Sequence, residues 1–193
     1  MASKKPTEEL EREHLTIHKV IGAMAVLIER LEVGKEVDAA VLTDISEFMQ
    51  TFADRCHHGK ESYLFKLLEK KGVAVSGCPL AVLREEHEKG CSLLANLKSS
   101  SETYTCTPGE GEEPLISALH GLIELYSAHA AKEDFLLFPM VDKVLSDSEQ
   151  KELSAQFTWH ASEIGVDVHH AYEQLADRIL DLVCGGASTR EAA

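Results

Sequence analysis

The sequence has little of what several classes of protein require. It contains no apolar run close to the roughly 20 residues that a membrane-spanning helix needs, and its polar start, MASKKPTEEL, lacks the apolar segment of a signal peptide. Its five cysteines are scattered and form no C-x-x-C pair, which argues against a disulfide framework and against a zinc ribbon. We therefore expect a cytoplasmic protein with reduced thiols and no membrane partner.

Positive charge is also scarce. The chain of 193 residues has 19 lysines and arginines against 33 aspartates and glutamates, which gives a formal net charge of −14. Such a chain repels phosphate backbones and anionic membrane surfaces. Nucleic acid is therefore not an expected partner, and the sequence indicates no particular protein partner.

Strand patterns are missing too, and nearly every long segment has the hydrophobic period of an amphipathic helix. Helices are predicted at residues 8–31, from about 38 to 71, from 79 to about 98, and from 114 to about 138. Gly34 and Gly72 are expected to end the first two. The stretch 99–114, rich in Ser, Thr, Gly and Glu, is predicted to be an exposed loop, and Pro139 is predicted to end or kink the fourth helix.

These lengths and links predict an all-α fold, an antiparallel up-down-up-down four-helix bundle with additional C-terminal helices. We expect the bundle to span residues 8–145, a helical extension packed on it to span 146–184, and a polar tail to span 185–193. Within the extension, Ser146 and Glu149 have the spacing of a capping box and should begin a short helix. A last helix is predicted from about 162 to 183, and the sequence leaves open whether the extension covers one end of the bundle.

The most informative pattern is a repeat. The pair Glu-His at positions 13 and 14 recurs at positions 86 and 87, and the motif H-x-x-K-E that begins at His57 recurs at His129. An apolar run follows both copies of the longer motif at the same shift. Matched offsets of this kind indicate one site built from two similar halves.

Each longer motif places a histidine and a glutamate four residues apart, so that on a helix both project from one face. With one histidine from each of the other two helices, the predicted metal ligands are His14, His57, Glu61, His87, His129 and Glu133. Nitrogen and oxygen ligands without thiolate favour iron or manganese over structural zinc. Six residues cannot fill two octahedra, so positions remain for water, oxide, or a small ligand such as dioxygen, peroxide or nitric oxide.

The pattern H…H-x-x-x-E…H…H-x-x-x-E resembles that of the hemerythrin-like family, also called the HHE cation-binding domain. The resemblance covers roughly residues 8–145. It implies an antiparallel four-helix bundle that encloses two iron ions joined by an oxo or hydroxo bridge. Ferritin-like di-iron proteins differ, because they combine glutamates on two helices with E-x-x-H on the other two.

The resemblance also implies that oxygen-carrying members use a fifth histidine. His58, which directly follows His57, is the first candidate for this ligand, and His18, one turn from His14, is the second. Each has the alternative of a surface imidazole.

Other polar residues near the motifs can be interpreted without a direct role in metal binding. Lys60 and Lys132 are expected to be solvated, and Cys56 is expected to be a buried, inert thiol with a redox-sensitive thiol as the alternative. Tyr126, one turn before His129, could donate a hydrogen bond to a bound oxygen species, with ordinary packing as the alternative.

The pattern predicts a non-haem di-iron protein that binds or senses a small ligand such as dioxygen, peroxide or nitric oxide. An enzyme that decomposes hydrogen peroxide or reduces nitric oxide is an alternative, although no catalytic residue can be named from the sequence. An iron-responsive or iron-storage module is another. A metal-free acidic bundle that serves as an interaction module leaves the matched offsets unexplained.

Overall fold

A computed structural model describes residues 5–73, 79–107, 111–165 and 167–185, and it has no strand within those ranges. The all-α fold class is therefore confirmed. The helices are α1 (Pro6–Glu32), α2 (Ala39–Glu47), π1 (Phe48–His58), α3 (Gly59–Lys70), α4 (Pro79–Cys106), α5 (Glu112–Lys132), π2 (Glu133–Leu137), α6 (Phe138–Val144), α7 (Asp147–Ile164) and α8 (Val168–Gly185). None of them is both long and apolar enough to cross a membrane.

The bundle consists of four long helical rods, of which α1 is the first and α4 the third. The other two contain wide helical turns. The helices α2, π1 and α3 follow one another without a break and form the second rod, and α5, π2 and α6 form the fourth in the same way. In π1 and π2 the turns are π-helical, with bonds between residues five apart instead of four. The first rod is followed by Gly34 and the second by Gly72, as predicted, and both glycines have positive φ. The side chain of Asp38 caps the start of the second rod by accepting a hydrogen bond from the Ala40 N–H.

The rods run in alternating directions through two hydrophobic clusters. One, here the α7 cluster, contains Phe157 of α7, and the other, the α8 cluster, contains Ile179 of α8. The first and third rods pass from the α7 cluster to the α8 cluster, and the second and fourth pass the opposite way. The residues that mark each passage are Leu10 then Ile17, Ala53 then Leu64, Leu83 then Leu94, and Tyr126 then Leu137. Each predicted metal ligand falls between the two residues of its rod, so the site lies between the clusters.

The predicted loop at residues 99–114 is wrong for its first half, because α4 continues to Cys106. The hydroxyls of Thr103 and Thr105 donate to backbone carbonyls one turn earlier, so their polar groups are satisfied inside the helix. In addition, the Val37 N–H donates to the Tyr104 hydroxyl. These contacts outweigh the turn-like composition, and residues 108–110 lie outside the described ranges.

Pro139 does not end the fourth rod, which continues to Val144. It occupies the first turn of α6, directly after the wide turn π2, where its missing N–H is not needed. The sequence therefore located the irregularity but not its form.

The C-terminal extension also differs from its prediction. The capping box of Ser146 and Glu149 forms, but it begins a helix of 18 residues, and α8 starts only at Val168. α8 runs alongside α1, with Lys19 bonded to Asp177 and Arg30 bonded to the Val183 carbonyl. α8 therefore packs along the side of the bundle, and residues 186–193 of the expected tail lie outside the described ranges.

Candidate metal centre

The structure brings all six predicted ligands together in the interior of the bundle. Ligand atoms of His14, His57, Glu61 and Glu133 lie within 4.8 Å of one another, and those of a second group, His58, Glu61, His87 and His129, do the same. Glu61 belongs to both groups, so one carboxylate lies between two sets of imidazoles. Glu133 is also close to the second group, since its Oε2 is 3.5 Å from His129 Nε2.

The polar atoms at the centre are buried but do not satisfy one another. The Nε2 atoms of His14 and His57 and all four carboxylate oxygens of Glu61 and Glu133 have no hydrogen-bond partner among the described residues. Yet His57 Nε2 lies only 2.9 Å from Glu61 Oε1, and His14 Nε2 lies 3.2 Å from Glu133 Oε2. A buried polar atom without a partner costs about 1–3 kcal/mol. Nitrogen and oxygen atoms that converge without hydrogen-bond geometry would be satisfied by cations placed among them, and this set of atoms fits iron.

Carboxylates surround the other ring nitrogen of four histidines. The Nδ1 atoms of His14, His57, His129 and His58 lie at 2.8, 2.9, 3.0 and 3.5 Å from oxygens of Asp134, Glu13, Glu86 and Asp54, respectively. At His14, His57 and His129 the carboxylate forms a hydrogen bond with Nδ1, which fixes the ring and turns Nε2 towards the centre, as in carboxylate–histidine–metal triads. At His58 Nδ1 has no hydrogen-bond partner among the described residues, so only the other three rings are oriented in this way.

The repeat noted in the sequence includes these supporting carboxylates. Glu13 accepts from His57 and from Lys60 Nζ at 2.5 Å, and Glu86 accepts from His129 and from Lys132 Nζ at 2.6 Å. Sequence reasoning did not name either glutamate as functional, although each directly precedes a predicted ligand in the repeated Glu-His pair.

The two lysines differ in their surroundings. The side chain of Lys132 is 31% exposed, whereas that of Lys60 is fully buried, so the prediction that Lys60 is solvated was wrong. The reason is the C-terminal extension, because α7 places the Phe157 ring 5.9 Å from the Lys60 ammonium and α8 places His169 Nε2 2.9 Å from it.

This difference predicts unequal effects of the same substitution. Lys60→Met leaves the buried Glu13 without its ammonium partner and should reduce the free energy of unfolding by about 3 kcal/mol or more. Lys132→Met removes a partly exposed pair and should cost less than about 1 kcal/mol. Urea unfolding of the metal-free variants measures both changes in the free energy of unfolding. Equal losses of stability would contradict the conclusion that the Lys60 ion pair is buried and the Lys132 ion pair is not.

Two histidines at the centre, His57 and His129, have raised pKa values. Burial opposes protonation of His57, but the carboxylates of Glu61 and Glu13 outweigh it and raise the His57 pKa to about 10. Burial also opposes protonation of His129, but Glu61 and Glu133 outweigh it and raise the His129 pKa to about 9. Despite its burial, the pKa of Glu61 lies well below its usual value because His57 and His129 adjoin it, while burial and Glu61 raise the pKa of Glu133.

Metal binding should therefore release protons. At pH 7.5 the metal-free protein keeps His57 and His129 protonated, and a metal ion must displace both protons. Because these two pKa values are raised, the affinity for the metal should increase as the pH rises towards 9, by about tenfold per pH unit for each displaced proton. Calorimetry from pH 6.5 to 8.5 measures this, and an affinity that does not change over this range would contradict it.

His58 is brought into the centre, and His18 is not. The ring of His58 is 7% exposed and stacks on that of His87 with centroids 3.9 Å apart. Burial lowers the His58 pKa to about 3, which leaves the imidazole neutral, the form that binds metals. His18 is an exposed residue of α1 and belongs to neither group of ligands.

Two further residues lie near the ligands. Tyr126 is buried with its ring stacked 5.5 Å from that of His58, and its hydroxyl has no partner among the described residues, while burial raises its pKa. Cys56 is buried and burial raises the pKa of its thiol to about 12, which agrees with an inert thiol.

Comparison with known proteins agrees with this geometry. A protein from Mycobacterium bovis and two from different strains of Mycobacterium tuberculosis, each described only as uncharacterized, are 24% identical to the chain over 152 residues. The match covers 78% of this chain and 58% of theirs, so the chain spans little more than half the length of these relatives. No solved structure matches the chain. The model of the hemerythrin HHE cation-binding domain matches residues 5–141, and the chain belongs to that family.

Proposed function

We propose that this domain holds two iron ions, bridged by Glu61 and Glu133 and by an oxo or hydroxo group, and that it binds or senses a small ligand such as dioxygen, peroxide or nitric oxide. The observation that carries the proposal is the shared Glu61. Its two oxygens lie 2.9 Å from His57 Nε2 and 3.0 Å from His87 Nε2, so each oxygen adjoins a different group of imidazoles.

The ligand count supports a free position for a guest molecule. Five imidazoles and two bridging carboxylates offer nine donor atoms, and a bridging oxygen would occupy one position on each ion. Two octahedra have twelve positions, so one is left. It would fall to the ion held by His14 and His57, because the other ion would be held by three imidazoles, those of His58, His87 and His129.

The surrounding residues keep the centre dry and fixed. Phe138 stacks on His14 with centroids 5.7 Å apart, and Phe65 stacks on His87 at 5.5 Å. His87 is the most accessible of the ligand side chains, at 18% exposed. When bound, the iron pair would supply a bonding site and electrons for the small ligand. The protein residues orient the imidazoles and exclude bulk water.

The proposal is tested by anaerobic reconstitution with ferrous iron. We expect about two irons per chain and, after exposure to dioxygen, a near-ultraviolet oxo-to-iron absorption band that changes when peroxide or nitric oxide is added. His129→Ala should lose the band, whereas His120→Ala, an exposed histidine of the same helix, should keep it. A colourless preparation that takes up no iron would overturn the proposal.

The same samples distinguish binding from turnover. Oxygen evolution on adding hydrogen peroxide, present in the His120→Ala control and absent in His129→Ala, would identify an enzyme. A spectral change without evolution above that of free iron would identify a binding or sensing protein.

A further inference from the structure

The C-terminal helices contact the second rod at the place where two adjacent histidines enter the metal centre. We propose that His160 of α7 is a positioning residue that holds π1 in its wide-turn geometry, so that His57 and His58 both reach the centre, one in each group of ligands. This inference rests on the proposed metal pair, and it assigns to the extension the task of setting the number of histidine ligands at five.

Adjacent residues of an ordinary α-helix do not face the same way. The wide turns of π1 contain more residues per turn, so neighbouring side chains diverge by a smaller angle. The rings of His57 and His58 accordingly lie 5.7 Å apart, and both are buried. If π1 returned to α-helical turns, one of the two imidazoles would point away from the centre.

A hydrogen bond from α7 favours the wide turn. His160 Nε2 donates to the Arg55 carbonyl oxygen at 2.8 Å. In an α-helix that carbonyl would accept from the Gly59 N–H, which here donates to the carbonyls of Asp54 and Cys56 instead. His160 therefore binds an acceptor that the α-helical form would use for itself.

Gly59 is needed for this approach. A Cβ at this position would overlap the imidazole of His160, so the residue after His58 must lack a side chain if the hydrogen bond is to form. The Tyr63 ring also contacts this imidazole edge-on, with ring centroids 5.6 Å apart.

The second copy of the repeated motif lacks both features. Ala130 and Ala131 stand where the first copy has His58 and Gly59, and Ala131 is exposed instead of covered by α7. The two halves thus differ at position 58, which supplies the fifth histidine, and at position 59, where glycine leaves room for His160. The extra ligand and the covering helix occur together.

α8 reinforces the same segment. The ring of His169 lies edge-on to Phe52 of π1 with centroids 6.0 Å apart, and its Nδ1 is 3.2 Å from Glu13 Oε1, which belongs to the carboxylate bonded to His57. The Lys60 ammonium lies among Glu9, Glu13 and His169, so this polar cluster already contains its cation.

A double-mutant cycle with a spectroscopic readout tests the inference. His58→Ala, His160→Ala and the double variant are loaded with cobalt(II), whose visible absorption depends on its ligands, and metal content is measured for each. We expect His160→Ala to show the spectrum of His58→Ala and about tenfold weaker binding of one ion, with no further change in the double variant. His160→Gln, which keeps a donor, should restore the wild-type spectrum.

Two further variants separate positioning from general stability. Gly59→Ala should displace His160 and give the His58→Ala spectrum, although alanine is the better helix former. His170→Ala, an exposed histidine of α8, is the matched control and should match the wild type. Additive changes in the double variant, or a wild-type spectrum in His160→Ala, would overturn the inference while leaving the metal pair in place. Failure of the wild type to bind metal would overturn the proposed function as well.

Discussion

Glu61→Gln is expected to abolish binding of the metal pair. The carboxylate of Glu61 is the ligand shared by both groups, it is fully buried, and an amide cannot supply two anionic oxygens to two ions. We expect metal content to fall from about two ions per chain to well below one, with loss of the near-ultraviolet band. Metal analysis after removal of loosely bound ions measures the first, and absorption measures the second.

Two companion variants make the Glu61 result specific. Glu133→Gln changes the other proposed bridging carboxylate, whose Oε2 lies 3.2 Å from His14 Nε2 and 3.5 Å from His129 Nε2, so it should also lower the metal content. Glu29→Gln changes an exposed glutamate of α1 and should bind as the wild type does. Retention of both ions by Glu61→Gln would show that the carboxylate does not bridge them.

Removal of the metal is expected to lower the melting temperature by about 10 °C or more. An ion present at about 1,000 times its dissociation constant adds about 4 kcal/mol to the stability of the folded state, and 1 kcal/mol corresponds to about 2–4 °C in a protein of this size. Without metal, the buried oxygens of Glu61 and Glu133 lack hydrogen-bond partners among the described residues. Differential scanning calorimetry with and without iron measures the shift.

The His129→Ala variant is the control for this shift. Its melting temperature should rise less on addition of iron than that of the wild type, because it lacks a candidate ligand of one group. A wild-type melting temperature that does not respond to iron would mean that the folded and unfolded chains bind it equally, which a preformed buried centre excludes.

Much of the fold could be predicted because its determinants are local. The helical period of α1 and the glycines at positions 34 and 72 depend on neighbouring residues, and the structure has the rods where these signals place them. The six candidate ligands could be selected because the motif occurs twice with matched spacing, so that each copy supports the other. The spacing of four between His57 and Glu61 is enough to place both on one face of a helix.

Other features depend on contacts that the sequence does not reveal. His58 reaches the centre only because π1 has wide turns. The spacing of apolar residues in this segment fits an α-helix and does not reveal these turns. Lys60 is buried by Phe157 and His169, which lie 97 and 109 positions later, so its local pattern is that of a solvated lysine. The helical course of residues 99–106 depends in the same way on packing and on hydroxyl-to-carbonyl bonds.

Anomalous diffraction from crystals of the iron-loaded protein, recorded on both sides of the iron absorption edge, tests the metal pair most directly. We expect two peaks about 3.5–4 Å apart, one beside His14 and His57 and the other beside His58, His87 and His129, with the Glu61 carboxylate between them. A single peak, or peaks at surface carboxylates away from Glu61, would contradict the di-iron proposal.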